Sequence, residues 1–225
     1  MFENADLLAQ RIDHTLVRPS ATFDDLERAC ADARRWKFAA LVVQSSHVAA
    51  AVKSLNGTMV KVGAVVGFPH GMSTTTVKIV EAMEALKNGA SELDIVMNVG
   101  LIKSGKLEQA EIDLKNVIAM TKTVVHKAIV ETGLLTPGEL ETACKIALRS
   151  GAEFIKTSTG FGPRGATVED IRLIRTVVGD SCRIKASGGI RDLAAVLALT
   201  DAGADRIGTS NGPAIMEEYL KAGKR

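Results

Sequence analysis

Eight times over, this chain alternates a short β-branched run with a longer segment rich in Ala, Leu, Glu and Lys. Few folds accommodate that rhythm. The runs are 11–15 (RIDHT), 39–44 (AALVVQ), 60–66 (VKVGAVV), 92–98 (ELDIVMN), 124–131 (VVHKAIVE), 153–158 (EFIKTS), 182–187 (CRIKAS) and 205–210 (DRIGTS), and they read as strands. Helix signals lie between them. Residues 24–36 carry apolar side chains at helical spacing, 75–89 ends on a glycine suited to a C-cap, and 136–151 has a Thr-Pro start and a glycine stop. In 167–179, Thr167 and Asp170 are spaced like a capping box. Eight units in 225 residues give roughly 28 residues per unit, the period of a (β/α)8 barrel. A doubly wound open sheet would carry a G-x-G-x-x-G after its first strand, and this chain has none. No Pro/Ser-rich or low-complexity tract divides the sequence. The expected architecture is α/β, a single (β/α)8 TIM barrel over residues 1–225.

Composition excludes several function classes. Lys+Arg 28 against Asp+Glu 26 leaves a net charge of +2, too little for a general attraction to nucleic acid or an anionic membrane. Aromatic residues, at 4%, offer no stacking platform for single-stranded nucleic acid. No apolar run reaches the ~18 residues of a membrane span. The segment MFENADLLAQRIDHT is acidic early and lacks a signal-peptide core, so a cytoplasmic protein is expected. Cys30, Cys144 and Cys182 are scattered and odd in number, which predicts free buried thiols. His14, His47, His70 and His126 show no metal-ligand spacing, and no metal is expected.

The informative anomaly is lysine inside apolar strands. Lys127, Lys156 and Lys185 recur at a spacing of 29 residues, one βα unit each. Side chains alternate across a strand. With Ile155 and Ile184 packed outward under helices, the lysines point into the barrel. A lone lysine of this kind reaches water or pairs with a carboxylate; three at matching positions on adjacent strands mark a site, because buried charge is costly. Neighbouring ammonium groups and desolvation both lower a lysine pKa, which makes a nucleophile competent toward a carbonyl. Asp94 shares a strand face with Glu92 and Val96 and belongs with them, either as a neutralising partner or as an acid/base group. Spacing does not choose among the three lysines.

Three Gly/Ser/Thr turns follow the sixth, seventh and eighth strands: STGFGPRG (158–165), ASGGIRD (186–192) and GTSNGPA (208–214). Each precedes a helical segment, and glycine-rich turns before helix N-termini gather N–H groups around an anion. In this barrel class the loops after strands seven and eight are the usual phosphate grip. GFPHG (67–71) and STTT (73–76) read as a turn and a helix N-cap.

These segments resemble the deoxyribose-phosphate aldolase family along essentially the whole chain. The matching stretches are IDHT (12–15), VVGFP (65–69), ELDIVMNVG (92–100), KAIVETGLLT (127–136), FIKTSTGFGPRGATVEDI (154–171), IKASGGIRD (184–192) and GTSNG (208–212). The resemblance implies a cofactor-free class I aldolase cleaving 2-deoxy-D-ribose 5-phosphate to D-glyceraldehyde 3-phosphate and acetaldehyde. It implies Lys156 as the Schiff-base lysine, Lys185 as the neighbour that lowers its pKa, and Asp94 as acid/base partner in a proton relay. Lys127 would hold the Asp94–Lys185 network; Thr15, Thr157 and Asp13 would lie near the substrate, with Asp13 structural. Gly160, Gly188, Gly189, Ser210 and Gly212 match phosphate-loop positions. A homodimer is the family tendency.

The chain departs from the pattern in places. Val42 and Gln44 stand where the family commonly has Cys and Asn; loss of that cysteine implies better tolerance of acetaldehyde, and Gln44 alters a substrate contact. Arg18 stands for a usual Lys, and Asn211 for Ser or Ala. The competing readings are another phosphosugar lyase or isomerase on the same barrel, or a phosphosugar-binding barrel without catalysis. The latter would need only the loops, not the lysines.

Overall fold

Eight parallel strands close into a barrel in sequence order, β1 pairing with both β2 and β8. The computed structural model describes residues 2–223; Met1, Lys224 and Arg225 of the expected 1–225 domain lie outside them. The strands are β1 Ile12–Leu16, β2 Ala40–Val43, β3 Lys61–Val66, β4 Glu92–Val96, β5 Val125–Ile129, β6 Phe154–Lys156, β7 Arg183–Ser187 and β8 Arg206–Thr209. All eight lie within the runs expected from the sequence, save that β1 extends through Leu16. The helices are α1 Ala5–Ala9, α2 Phe23–Trp36, α3 Val48–Ser54, α4 Thr75–Lys87, α5 Val99–Lys103, α6 Leu107–Met120, α7 Pro137–Ser150, α8 Val168–Val178, α9 Leu193–Asp201 and α10 Gly212–Ala222.

Local chemistry sets the helix ends. The Thr136 hydroxyl accepts from the Glu139 N–H and the Glu139 carboxylate accepts from the Thr136 N–H, with Pro137 in the first turn and Gly151 left-handed at the C-cap. Thr22 and Asp25 form the same reciprocal box at α2. The box expected at Thr167 is only half made: Thr167 accepts from the Asp170 N–H, but the Asp170 carboxylate is held by Arg164 instead of reaching back. Asp25 shows that an aspartate can close the box; at Asp170 the arginine competes for the carboxylate. Thr74 caps α4, as the Thr run predicted.

The strand alternation sorts two environments. Leu41, Val43, Ala64, Val66, Leu93, Ile95, Ile155, Ile184 and Ile207 pack outward in the layer beneath the helices. Ala40, Val42 and Val65 form a small apolar cluster inside the barrel, with Val17 and Phe68 packed on it. The rest of the interior, contributed by β4 to β8 and by Asp13 of β1, carries buried charged side chains among Val96, Ile129 and Phe154.

A charged barrel interior opening into a cavity

Lys127, Lys156, Lys185 and Asp94 do come together. A single carboxylate serves all three ammonium groups: Asp94 Oδ1 accepts from Lys127 Nζ at 3.0 Å, and its Oδ2 accepts from Lys156 at 2.8 Å and Lys185 at 2.7 Å. Registered neighbours on parallel strands face the same side, so Lys156 opposite Lys185 and Lys127 opposite Asp94 are consequences of pairing. The three lysines are not at matching levels, however. Lys156 pairs with Ile129, and Lys127 pairs with Phe154, two residues deeper. The stagger of a closed barrel shifts register between strands, and equal sequence spacing does not reveal it.

Three further interior groups complete the network. Glu92 bonds Lys127. Asp13 Oδ2 lies 2.5 Å from Lys185, and its Oδ1 lies 2.6 Å from Arg206. Arg206 was missed as a site residue, although the rule that turned the lysines inward applies to it: Ile207 packs outward, so Arg206 and Gly208 face in. Gly208 carries its own constraint. A Cβ there would stand 2.9 Å from Lys185 Cε and closer still to the Ser187 hydroxyl, so glycine makes room for the Lys185 side chain. Beneath the network Phe154 is buried, with the Arg183 guanidinium over its ring at 4.0 Å.

Four basic side chains thus face three carboxylates. Burial tends to raise Asp94, but the ammonium groups of Lys127, Lys156 and Lys185 outweigh it and hold its carboxyl well below the usual range. Burial likewise opposes Lys185, Lys127 and Arg206 at Asp13, and the cations win there too. Lys127 is pushed up: desolvation works against its charge, but Asp94, Asp13 and Glu92 more than offset it. Lys156 goes the other way. Burial lowers it most, Asp94 pulls it back, Lys185 and Lys127 lower it further, and it settles at about 8.

Position separates the lysines as well. A cavity of about 470 Å³ opens above the network, and Lys156 is the one of the three that lines it. Thr15 of β1 lines it too, with Gly160, Gly188, Gly189 and Ser210 on the turns that follow β6, β7 and β8, together with Arg18, Arg28 and Arg191. Gly160, Gly188 and Gly189 take left-handed φ values of 88°, 88° and 73°. Thr157 is not at the cavity: its hydroxyl donates to Ser187 O and accepts from Ser187 N, stapling β6 to β7. Gly212 opens α10 away from the lining, where a Cβ would meet Phe38 at 2.8 Å. Asp13 is wholly buried among the cations. Val42 is sealed in the apolar half of the interior, opposite Thr15 in register, and Gln44 donates to Val17 O at 3.1 Å.

Comparison with known proteins gives the family and the fold. Residues 7–218 match the family described as DeoC/LacD family aldolase. The chain is 50% identical over 218 residues to a deoxyribose-phosphate aldolase of Methanothermobacter thermautotrophicus, covering 96% of this chain and 97% of the relative. It is 45% identical over 219 residues to one from Caldanaerobacter subterraneus subsp. tengcongensis, covering 96% and 95%. A solved tetrameric deoxyribose phosphate aldolase from Aeropyrum pernix superposes with a TM-score of 0.92 at 30% identity, covering 98% of this chain and 94% of that one.

Proposed function

The chain belongs to the DeoC/LacD family of aldolases, and on that premise we propose that it cleaves 2-deoxy-D-ribose 5-phosphate reversibly through a Schiff base on Lys156. The products are D-glyceraldehyde 3-phosphate and acetaldehyde, which makes the enzyme an aldehyde-lyase. The observation that carries the reading is that Lys156 is the one of the three lysines on the cavity wall, with its own pKa lowered to about 8.

The neutral Lys156 amine attacks C1 of the open-chain sugar, and loss of water gives an iminium. That cation accepts the electron pair released when the C2–C3 bond breaks. The proton on the C3 hydroxyl must leave in the same step, and C3 departs as the aldehyde of glyceraldehyde 3-phosphate. The enamine left on Lys156 then takes a proton at C2, and hydrolysis frees acetaldehyde and the amine. Asp94, 2.8 Å from Lys156 Nζ, is the group within reach to move these protons; a water between it and C3 would complete the relay. Lys185 depresses Lys156 by its charge, and Lys127 with Asp13 fixes the Asp94–Lys185 geometry. No cofactor enters this scheme.

The phosphate is assigned to the loops after β6, β7 and β8. Left-handed Gly160, Gly188 and Gly189 free backbone N–H groups there. Ser210, on the turn after β8, lines the same cavity and adds a hydroxyl donor for an anion. The decisive assay is direct: purified protein supplied with 2-deoxy-D-ribose 5-phosphate should release the two aldehydes in equal amounts. Release of neither, or isomerisation without cleavage, would refute the assignment.

The pKa of Lys156 sets a pH dependence. Only the neutral amine adds to a carbonyl, so the rate of adduct formation with acetaldehyde should climb as pH rises through about 8 and level above it. Between pH 6 and pH 9 the gain should be on the order of a hundredfold, because the neutral fraction grows by about that much. A flat profile measured by rapid borohydride quench would show that Lys156 is not the titrating nucleophile.

The enzyme is proposed to be a cytoplasmic homodimer. No helix among the described residues is long and apolar enough to cross a membrane, and the three cysteines are free and buried. α4 supports self-association: Val77, Val80 and Met83 recur every three residues on one face and are 53%, 59% and 47% exposed. Val80→Glu should shift the mass in solution, read by light scattering, from two chains to one. A single-chain mass for the unmutated protein would contradict the dimer.

A further inference from the structure

Glu131 follows β5 and is used by neither the lysine network nor the phosphate grip described above. Its backbone is left-handed at φ 56°, ψ 66°, a conformation that a side-chain-bearing residue holds only when its surroundings enforce it. Its side chain is buried, at 4% exposure. One carboxylate oxygen, Oε2, accepts from the Thr159 N–H at 3.1 Å and from the Thr159 hydroxyl at 2.5 Å. The other, Oε1, is buried with no hydrogen-bond partner among the described residues and lies against Gly162, where a Cβ would approach it to 2.7 Å. Thr159 passes the constraint on, since its hydroxyl accepts from the Phe161 N–H at 3.0 Å.

The strut thus ends on Thr159, Gly160 and Phe161, all of which line the cavity. The β6–α8 turn is also zipped to the β7–α9 turn: Ala166 N donates to Ser187 O at 3.1 Å, and a Cβ on Gly165 would sit 2.0 Å from Gly188 O. Gly160, next to Thr159, also packs on Gly188: a Cβ on Gly188 would lie 3.5 Å from the Gly160 Cα, so the brace at Thr159 backs the glycines of the β7–α9 turn. Lys156, by contrast, is fixed three residues earlier by strand pairing and by Asp94.

We infer that Glu131 is a positioning residue for the phosphate end of the substrate, bracing the β6–α8 turn from behind without touching substrate. Leaving one buried carboxylate oxygen unpaired and a backbone strained is the cost of that rigidity. The inference rests on the phosphate assignment above, and its test keeps the two separable.

Glu131→Gly is the informative variant, because glycine adopts the left-handed backbone without strain while the whole side chain, carboxylate included, is removed. Steady-state kinetics would be taken on 2-deoxy-D-ribose 5-phosphate and on unphosphorylated 2-deoxy-D-ribose. Thr159→Val, which deletes the hydroxyl end of the strut, guards against a folding defect in the first variant. Both should raise KM for the phosphorylated sugar and cut its kcat/KM by about tenfold. kcat/KM for the unphosphorylated sugar should change by less than about threefold in Glu131→Gly. Glu131→Gln keeps an acceptor oxygen facing Thr159 and should restore most of the preference. Equal losses on both sugars, unchanged kinetics on both, or no rescue by Glu131→Gln would overturn the inference. If the unmutated enzyme does not favour the phosphorylated sugar, the phosphate assignment itself fails, and this inference with it.

Discussion

Lys156→Met is expected to lower turnover of 2-deoxy-D-ribose 5-phosphate by at least about a thousandfold while leaving the fold intact or slightly more stable. The loss is large because the covalent intermediate cannot form without the amine, and neither Lys185 nor Lys127 can take over. Lys185 is held between Asp13 and Asp94 away from the cavity wall, and Lys127 lies one level deeper with its charge locked by three carboxylates. Methionine fills nearly the same volume, so packing is preserved.

The gain in stability follows from the direction of the Lys156 shift. Its pKa is 10.5 when unfolded and about 8 when folded, so between those values the unfolded chain binds the extra proton. The folded state is therefore penalised below about pH 8, and the penalty lifts as pH rises from 8 toward 10.5. Removing the amine at pH 7 should stabilise the protein by about 1 kcal/mol or more, a rise of roughly 2–4 °C in Tm. Thermal unfolding of both proteins at pH 7 and pH 9.5 checks this: the difference should shrink at the higher pH. A variant that unfolds tens of degrees early would mean that Lys156 is a structural ion-pair member rather than a strained nucleophile.

Asp94→Asn should be damaging twice over. The carboxylate is the shared partner of three ammonium groups, and breaking a buried ion-pair network leaves uncompensated charge worth about 3–5 kcal/mol. Turnover should fall by about a hundredfold to ten-thousandfold, the range for loss of a general acid/base group. Asp94 also raises Lys156, so its loss should move the midpoint of acetaldehyde adduct formation below 8. Slower turnover beside an adduct that forms at lower pH distinguishes a proton-relay role from simple misfolding. In the unmutated protein, Asp94 and Asp13 both titrate below their ordinary value of 3.8. The stability they contribute is present above 3.8 and is lost as pH falls from there to their folded values. Asp94→Asn should flatten that acid limb, which unfolding by denaturant at pH 3 and pH 6 would reveal.

Much of this was legible in the residues, and for identifiable reasons. Alternation within FIK and RIK, with isoleucine outward, turns Lys156 and Lys185 inward without any knowledge of their neighbours, and the same rule places Asp94. Arg206 obeys that rule equally, but an arginine at the start of a run resembles a strand boundary. The depth of Lys127 was not legible, since stagger is a property of the closed sheet. Nor was Glu131, whose role depends on a left-handed backbone and on a turn 28 residues downstream. Gly212 and Thr157 read as site residues by motif, yet one packs against Phe38 and the other staples two strands. A motif marks a neighbourhood; packing decides which of its members face the cavity.

Of the three lysines, Lys156 alone is expected to carry the chemistry. The most direct test incubates the protein with acetaldehyde and sodium borohydride, then maps the modified peptide by mass spectrometry. The expected result is a single ethyl group on Lys156, absent from Lys156→Met. An ethyl group on Lys185 or Lys127, or unmodified protein under conditions that label another Schiff-base aldolase, would contradict the account.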